Sequence, residues 1–290
     1  MRILRHLVTQ EQEGRMVKSV ARGEMHLSYG QFKRLKYANG ILVDGAPVHA
    51  DVRLMAGQVL EIRFQDEGQK IIPHEMPLSV LYEDEDYLVV DKPAPLPTLP
   101  SVHQEGLTLE NVVFAYLKCP EDFIYRPVNR LDKGTSGLMA IAKNAHSQQL
   151  LQKMLHADAF IREYLAVCRG IPGEKEGVID LPIGKMGEGV KREIRPDGKR
   201  AVTHYRVEKE GKENSLIRLR LETGRTHQIR VHMQALGCPV AGDYLYGSED
   251  ERLPGRFALH SARILFYHPV KNVKIDLEAP PPPVFQALLD

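Results

Sequence analysis

Asp132 stands in a polar loop, Asn129-Arg130-Leu131-Asp132-Lys133-Gly134-Thr135-Ser136-Gly137, which runs straight into the apolar stretch Leu138 to Ala142. A glycine-containing loop that feeds a buried strand can present a carboxylate at a sheet edge, and loops held by rigid elements often carry function. The plain alternative is that the aspartate caps its own turn, a common duty beside Gly, Thr and Ser, and taken alone the loop favours that duty. A second concentration of reactive types lies in Leu221-Glu222-Thr223-Gly224-Arg225-Thr226-His227-Gln228-Ile229-Arg230-Val231-His232. Helical spacing from Thr226 puts His227, Arg230 and Gln234 on one face and Ile229, Met233 and Leu236 on another, so Arg230 can serve a polar site while the helix packs. His227 and His232 invite a metal reading, but five residues of helix turn them about 140° apart. No H-x-x-x-H or carboxylate-plus-histidine pattern accompanies them, and no metal site is expected. His260 and His268 read as ordinary buried or turn histidines. Tyr164, in Arg162-Glu163-Tyr164-Leu165-Ala166-Val167, reads by itself as a packed strand tyrosine.

These groups need a frame. Leu138 to Ala142 reads as a buried strand, Asn144 to His156 as a capped amphipathic helix and Phe160 to Cys168 as a further strand. Upstream, LSVLYEDEDYLVVDKP is a hairpin around the acidic turn Glu83 to Asp86, and Thr108 is placed to cap a helix reaching Lys118. Downstream, Ala201 to Val207 and Ser215 to Leu221 alternate as a hairpin pair, and Gly237 stops the helix that carries Arg230. Strands and helices alternate without a strict βαβ period, so the expected class is α+β: a mixed, mainly antiparallel sheet flanked by helices. The first residues differ in kind. SYGQFKRLKYANG reads as a helix turn and ILVDGAPV as a hairpin with a strong Asp44-Gly45 turn. The organisation expected is a small α/β domain over 1–68, a polar, proline-punctuated linker over 69–77, and a large domain over 78–290.

At 290 residues with 43% apolar content the chain can bury one large core and carry a small appended domain. Net charge is +1, which neither demands nor excludes a polyanionic partner, so local distribution decides. Residues 1–64 hold ten Lys/Arg against six Asp/Glu, with Lys33, Arg34 and Lys36 crowded on the helix. Residues 184–206 hold seven Lys/Arg against three acids and read as a phosphate-facing loop. Three dispersed cysteines suggest neither a disulfide framework nor a zinc site and suit a reducing cytoplasm. No stretch has the apolar length of a signal peptide or a membrane span.

The early helix, followed by G-x-L-V-x-G and R-L-x-A-G-x-x-L-x-I, resembles the S4 domain, a module that lays a basic helical face on structured RNA. That resemblance implies RNA-binding roles for Lys33, Arg34 and Lys36. The loop R-L-D-x-x-T-S-G, with its apolar strand and lysine, resembles the catalytic loop of the RluA family of pseudouridine synthases. T-G-R-T-H-Q-I-R-x-H resembles the same family's later motif, and the strand ending Y-x-A its tyrosine motif. The resemblance implies that Asp132 is the nucleophile, that Tyr164 stacks on the target base, and that Arg130 props the helix from which the uridine is extruded. An ionised carboxylate in a dry pocket requires a nearby cation. Arg230 inherits that role, with Arg225 as alternative partner or phosphate contact. Attack on ribose C1′ or on base C6 both stay open.

Two departures stand out. Asn129 replaces the histidine that usually precedes R-L-D, keeping a polar contact but not a titratable one. Asp91-Lys92-Pro93-Ala94-Pro95-Leu96-Pro97 has proline where the family's early loop has glycine, which should stiffen it. The implied function is isomerisation of uridine to pseudouridine in structured RNA, with 23S ribosomal RNA favoured over transfer RNA, without cofactor or metal, by a monomer. The alternatives are a non-catalytic RNA-binding or ribosome-assembly protein that kept the fold, and a glycoside or nucleoside hydrolase pairing Asp132 with Glu163 or Glu222.

Overall fold

The computed structural model describes residues 2–64, 70–100 and 106–290. The end of the expected small domain and the start of the linker, 65–69, lie outside the described residues.

Residues 2–64 form a sheet and core of their own. Strands β1 (Arg2–Leu7), β2 (Ile41–Val43), β3 (Ala46–Pro47) and β4 (Val59–Phe64) pair antiparallel in the order β1-β4-β2-β3. Helices α1 (Val17–Gly23) and α2 (Tyr29–Tyr37) cover it. A capping box starts α2: the Gln31 N–H donates to Ser28 Oγ, and the Ser28 N–H to Gln31 Oε1, each at 3.2 Å. Helical period then buries Phe32 and Leu35 and leaves Lys33, Arg34 and Lys36 exposed. Asp44 and Gly45 both take positive φ, 50° and 83°, as a tight two-residue hairpin turn requires.

The large sheet contains β5 (Ser79–Glu83), β6 (Tyr87–Lys92), β7 (Ser136–Ala142), β8 (Ile161–Arg169) and β9 (Glu176–Asp180). After a small hairpin, β10 (Ile183–Lys185) with β11 (Arg192–Ile194), come β12 (Val202–Glu210), β13 (Asn214–Leu221), β14 (Leu259–Tyr267) and β15 (Lys274–Glu278). Spatial order is β5-β6-β7-β14-β8-β13-β12-β9, with β15 also on β14; every pairing is antiparallel except β7 with β14. Helices α3 (Leu109–Tyr116), α4 (Ala145–His156), α5 (Gln228–Ala235) and the short α6 (Val284–Ala287) complete the domain.

The continuous apolar runs of β6 and β7 have a simple cause: both faces of the sheet are covered. Leu88, Val90, Met139 and Ile141 point to one core, with Leu109 of α3 and Ile229 of α5; Tyr87, Val89, Leu138 and Ala140 point to the other, with Leu151 of α4. The small domain rests on the start of α4. Gln149 accepts from the Ser28 N–H at 3.2 Å and donates to His26 O at 3.1 Å, Gln31 donates to Ala145 O at 3.0 Å, and Phe64 stacks on His146.

Sequence and structure part at the start of α5. His227 has φ 59° and is the N-cap, so the helix begins at Gln228 rather than Thr226. His227 therefore does not share a helical face with Arg230; a left-handed residue breaks the phase. The basic stretch after Gly184 is also not an open loop. It opens with the β10–β11 hairpin, and several of its cations are engaged: Arg195 with Asp197, Arg200 with Asp180 and Glu222, Arg206 with Glu208. No helix among the described residues is long and apolar enough to cross a membrane.

Candidate active site

The loop that carries Asp132 is laced to the early proline-rich loop by hydrogen bonds to its own backbone carbonyls. Thr98 Oγ donates to Leu131 O at 2.7 Å and the Leu96 N–H to Lys133 O at 3.0 Å. Asn129 secures the loop to the strand by accepting the Ala140 N–H at 3.0 Å, while its buried Nδ2 has no hydrogen-bond partner. Lys92 is fully buried and donates to Pro93 O at 3.0 Å and Leu96 O at 2.7 Å. Burial lowers its pKa to about 7, against the pull of Asp132. At Gly134 any Cβ would lie 2.6 Å from the Phe257 ring, so only glycine lets the loop come this close.

The later motif is knitted to β12 through Gln228. Its amide donates to Val202 O and Thr203 Oγ1 and accepts from Thr223 Oγ1 and the Arg225 N–H, using every hydrogen-bonding position. That fixes the first turn of α5 and aims Arg230 inward. Arg230 Nη1 donates to Asp132 Oδ2 at 3.1 Å, and Nε and Nη2 grip Asp243 at 2.6 and 2.8 Å. The guanidinium lies 4.2 Å above the Phe257 ring and 5.0 Å from that of Tyr246. Burial opposes its charge, yet the two carboxylates outweigh burial and raise its pKa.

A cleft of about 780 Å³ opens over Asp132, lined also by Arg130, Tyr164, Arg225, His227 and Arg230. It is large enough for one nucleotide with its flanks. Tyr164 is buried in the floor, where burial first, and Asp132 in addition, raise its pKa. Arg130 is exposed at the rim. Arg225 is exposed too and donates through Nε to Arg200 O at 2.9 Å, so the carboxylate's partner is Arg230 and not Arg225. Lys33, Arg34 and Lys36 lie outside the cleft, on the small domain.

Neither acid considered for a hydrolytic pair faces Asp132 as a partner. Glu163 is held by Arg218 at 3.2 Å and Arg263 at 3.5 Å, and Glu222 sits on the rim with His204 at 2.7 Å. The two motif histidines have separate partners: His232 meets Thr203 Oγ1 and Leu181 O, His227 the Tyr246 hydroxyl. Among the described residues no cluster of three or more His, Cys, Asp or Glu could hold a metal ion.

Sequence reasoning missed Asp243, Tyr246, Phe257 and Lys92, and weighed His227 only as a ligand. One signal was available. A guanidinium carries five N–H donors, so a buried Arg230 serving one carboxylate oxygen calls for a second acid.

Residues 86–235 match the family model for RNA pseudouridylate synthase. The chain belongs to that family. The synthase is 35% identical over 265 residues to the uncharacterized RNA pseudouridine synthase YjbO of Bacillus subtilis, covering 90% of this chain and 93% of that one. It is 36% identical to ribosomal large subunit pseudouridine synthase D of Vibrio cholerae, over 88% of this chain and 85% of the relative. Among solved structures, human RNA pseudouridylate synthase domain containing 1 superposes with a TM-score of 0.61 at 28% identity, covering 73% of this chain and 87% of that one. The synthase is thus an RNA-modifying isomerase with the pseudouridine synthase fold, which displaces both the non-catalytic and the hydrolase readings.

Proposed function

We propose that the synthase acts on structured RNA, 23S ribosomal RNA foremost, with Asp132 as nucleophile toward a uridine flipped out of its helix. The observation that carries this reading is the contact between Arg230 Nη1 and Asp132 Oδ2, 3.1 Å long, at the bottom of a nucleotide-sized cleft. The guanidinium holds and orients one carboxylate oxygen of Asp132 by a charge-assisted hydrogen bond, and a carboxylate so placed can serve as the nucleophile.

The net change moves the glycosidic bond from N1 to C5 of the uracil and one proton from C5 to N1, so atoms balance without a co-reactant. Asp132 holds one fragment while the uracil turns and rejoins within the same cleft. Tyr164 offers its ring to the base, Arg130 fills the place the uridine vacates, and Arg225 meets phosphate at the rim. The small domain acts as an S4-type grip through Lys33, Arg34 and Lys36. The ribosomal assignment rests on the name of the Vibrio cholerae relative. The enzyme works in the cytoplasm as a monomer and needs no cofactor or metal.

The test is pseudouridine mapping of total RNA from cells lacking the gene, complemented by wild type or by Asp132→Ala. A site lost in the deletion and restored by wild type alone supports the reading and names the RNA. Restoration by Asp132→Ala would remove Asp132 from the chemistry, and a lost site outside ribosomal RNA would overturn the substrate.

A further inference from the structure

His227 has no place in the roles above, yet it lines the cleft and its side chain is only 12% exposed. Its φ of 59° is the left-handed region, which non-glycine residues enter at a cost and which recurs where a side chain must be aimed. The aim is clear on both sides of the ring. Nδ1 lies 2.9 Å from the Tyr246 hydroxyl, and Nε2 lies 4.0 Å from Asp132 Oδ2, the oxygen that Arg230 also holds.

The hydrogen bonds select a tautomer. The Tyr246 oxygen accepts the Arg192 N–H at 2.8 Å, which favours use of its own phenolic proton toward His227 Nδ1. A neutral imidazole that accepts at Nδ1 carries its proton on Nε2, and the carboxylate beyond Nε2 favours the same arrangement. We propose that His227 is a positioning residue, a neutral Nε2–H donor that closes on Asp132 Oδ2 beside Arg230 when RNA excludes water. Two donors on Oδ2 leave Oδ1 as the oxygen that meets the uridine. The inference rests on Asp132 being the nucleophile.

The surroundings favour the neutral form. Facing His227 are Asp132 from the catalytic loop, Arg230 from α5, Asp243 and Tyr246 from the segment after α5, and Arg192 from β11. Burial lowers its pKa most, Asp132 and Asp243 pull it up, and Arg230 and Arg192 push it down, for a net lowering. An imidazolium would carry a second proton on Nδ1 and so remove the acceptor that the Tyr246 phenolic proton uses.

The experiment compares wild type, His227→Asn, His227→Gln and Asp132→Ala on total RNA from gene-deleted cells labelled with 5-tritiated uridine, reading tritium released from C5. Asparagine tolerates the left-handed backbone but is too short to reach Asp132, whereas glutamine restores a donor near the Nε2 position. His227→Asn should lower kcat about 10–100-fold, as loss of one aimed donor does, with KM within about threefold. His227→Gln should recover much of that loss. The wild-type rate should fall on the acid side, at a pH below the ordinary imidazole range because burial lowers the His227 pKa, and the Gln variant should lack that limb. A kcat for His227→Asn within about twofold of wild type, or the same acid limb in wild type and Gln, overturns the proposal. So does a joint loss of melting temperature and KM that Gln does not rescue. Activity in Asp132→Ala would instead defeat the nucleophile assignment, whatever His227 does.

Discussion

Arg230 bridges two carboxylates of unequal situation: Asp243, wholly buried, takes two of its donors, and Asp132, 29% exposed at the side chain, takes one. Asp243 also accepts the Leu245 and Tyr246 N–H groups, at 3.1 and 3.3 Å. The arginine is thus anchored by an acid that never meets solvent and offers its remaining edge to the one that does. An arginine shared in this way is oriented before any RNA arrives.

Asp243→Ala should destabilise the fold by about 3–5 kcal/mol, because it leaves a buried guanidinium short of a partner. Urea titration measures this. Asp243→Asn, which keeps the shape but loses the charge, should cost less stability and still reduce the turnover rate.

Arg230→Lys should fail as a conservative change. A lysine ammonium cannot reach two carboxylates in fixed fork geometry, so kcat should fall by about 100-fold or more while RNA affinity changes little. Single-turnover kinetics with a parallel filter-binding assay separates the two.

Replacing Lys33, Arg34 and Lys36 together by Ala should weaken RNA binding and lower the slope of log affinity against log salt by up to about 3. The rate at saturating RNA should hold. An unchanged slope would remove α2 from the RNA interface.

Lys92 gives a pH signature. Its folded pKa of about 7 lies below the ordinary lysine value of 10.5, so between these values the unfolded chain binds the extra proton. Stability must then rise with pH across that window, by at most about 1.4 kcal/mol per unit. Below pH 7 both states are charged and the penalty is constant. Chemical denaturation from pH 6 to 10 should show this slope in wild type and its absence in Lys92→Met.

The parts of the fold legible in sequence were those set by local rules. Alternating burial in β13 and the Asn144 cap of α4 each follow from a few neighbouring residues. The parallel contact of β7 with β14 joins residues more than a hundred positions apart, and nothing in either strand announces the other. The site divides likewise. Asp132, Tyr164, Arg225 and Arg230 stand in recognisable motifs, whereas Asp243 comes from an unremarked Gly-Asp-Tyr segment and matters only because α5 brings Arg230 over it. His227 was misjudged for a related reason: regular helix was extended through a residue whose backbone is left-handed.

Helix α4 meets the small domain through Ala145, His146 and Gln149, and its other end supplies Leu155 and His156 to the cleft wall. Twelve residues of helix span about 18 Å. On the RNA grip proposed for the small domain, this helix would work as a caliper: a uridine would qualify only where its RNA offers a grip at the matching distance and angle. Part of the enzyme's address would then be written as a length instead of a set of base contacts. Retargeting it would call for adding or removing a helical turn, with the cleft itself left unaltered.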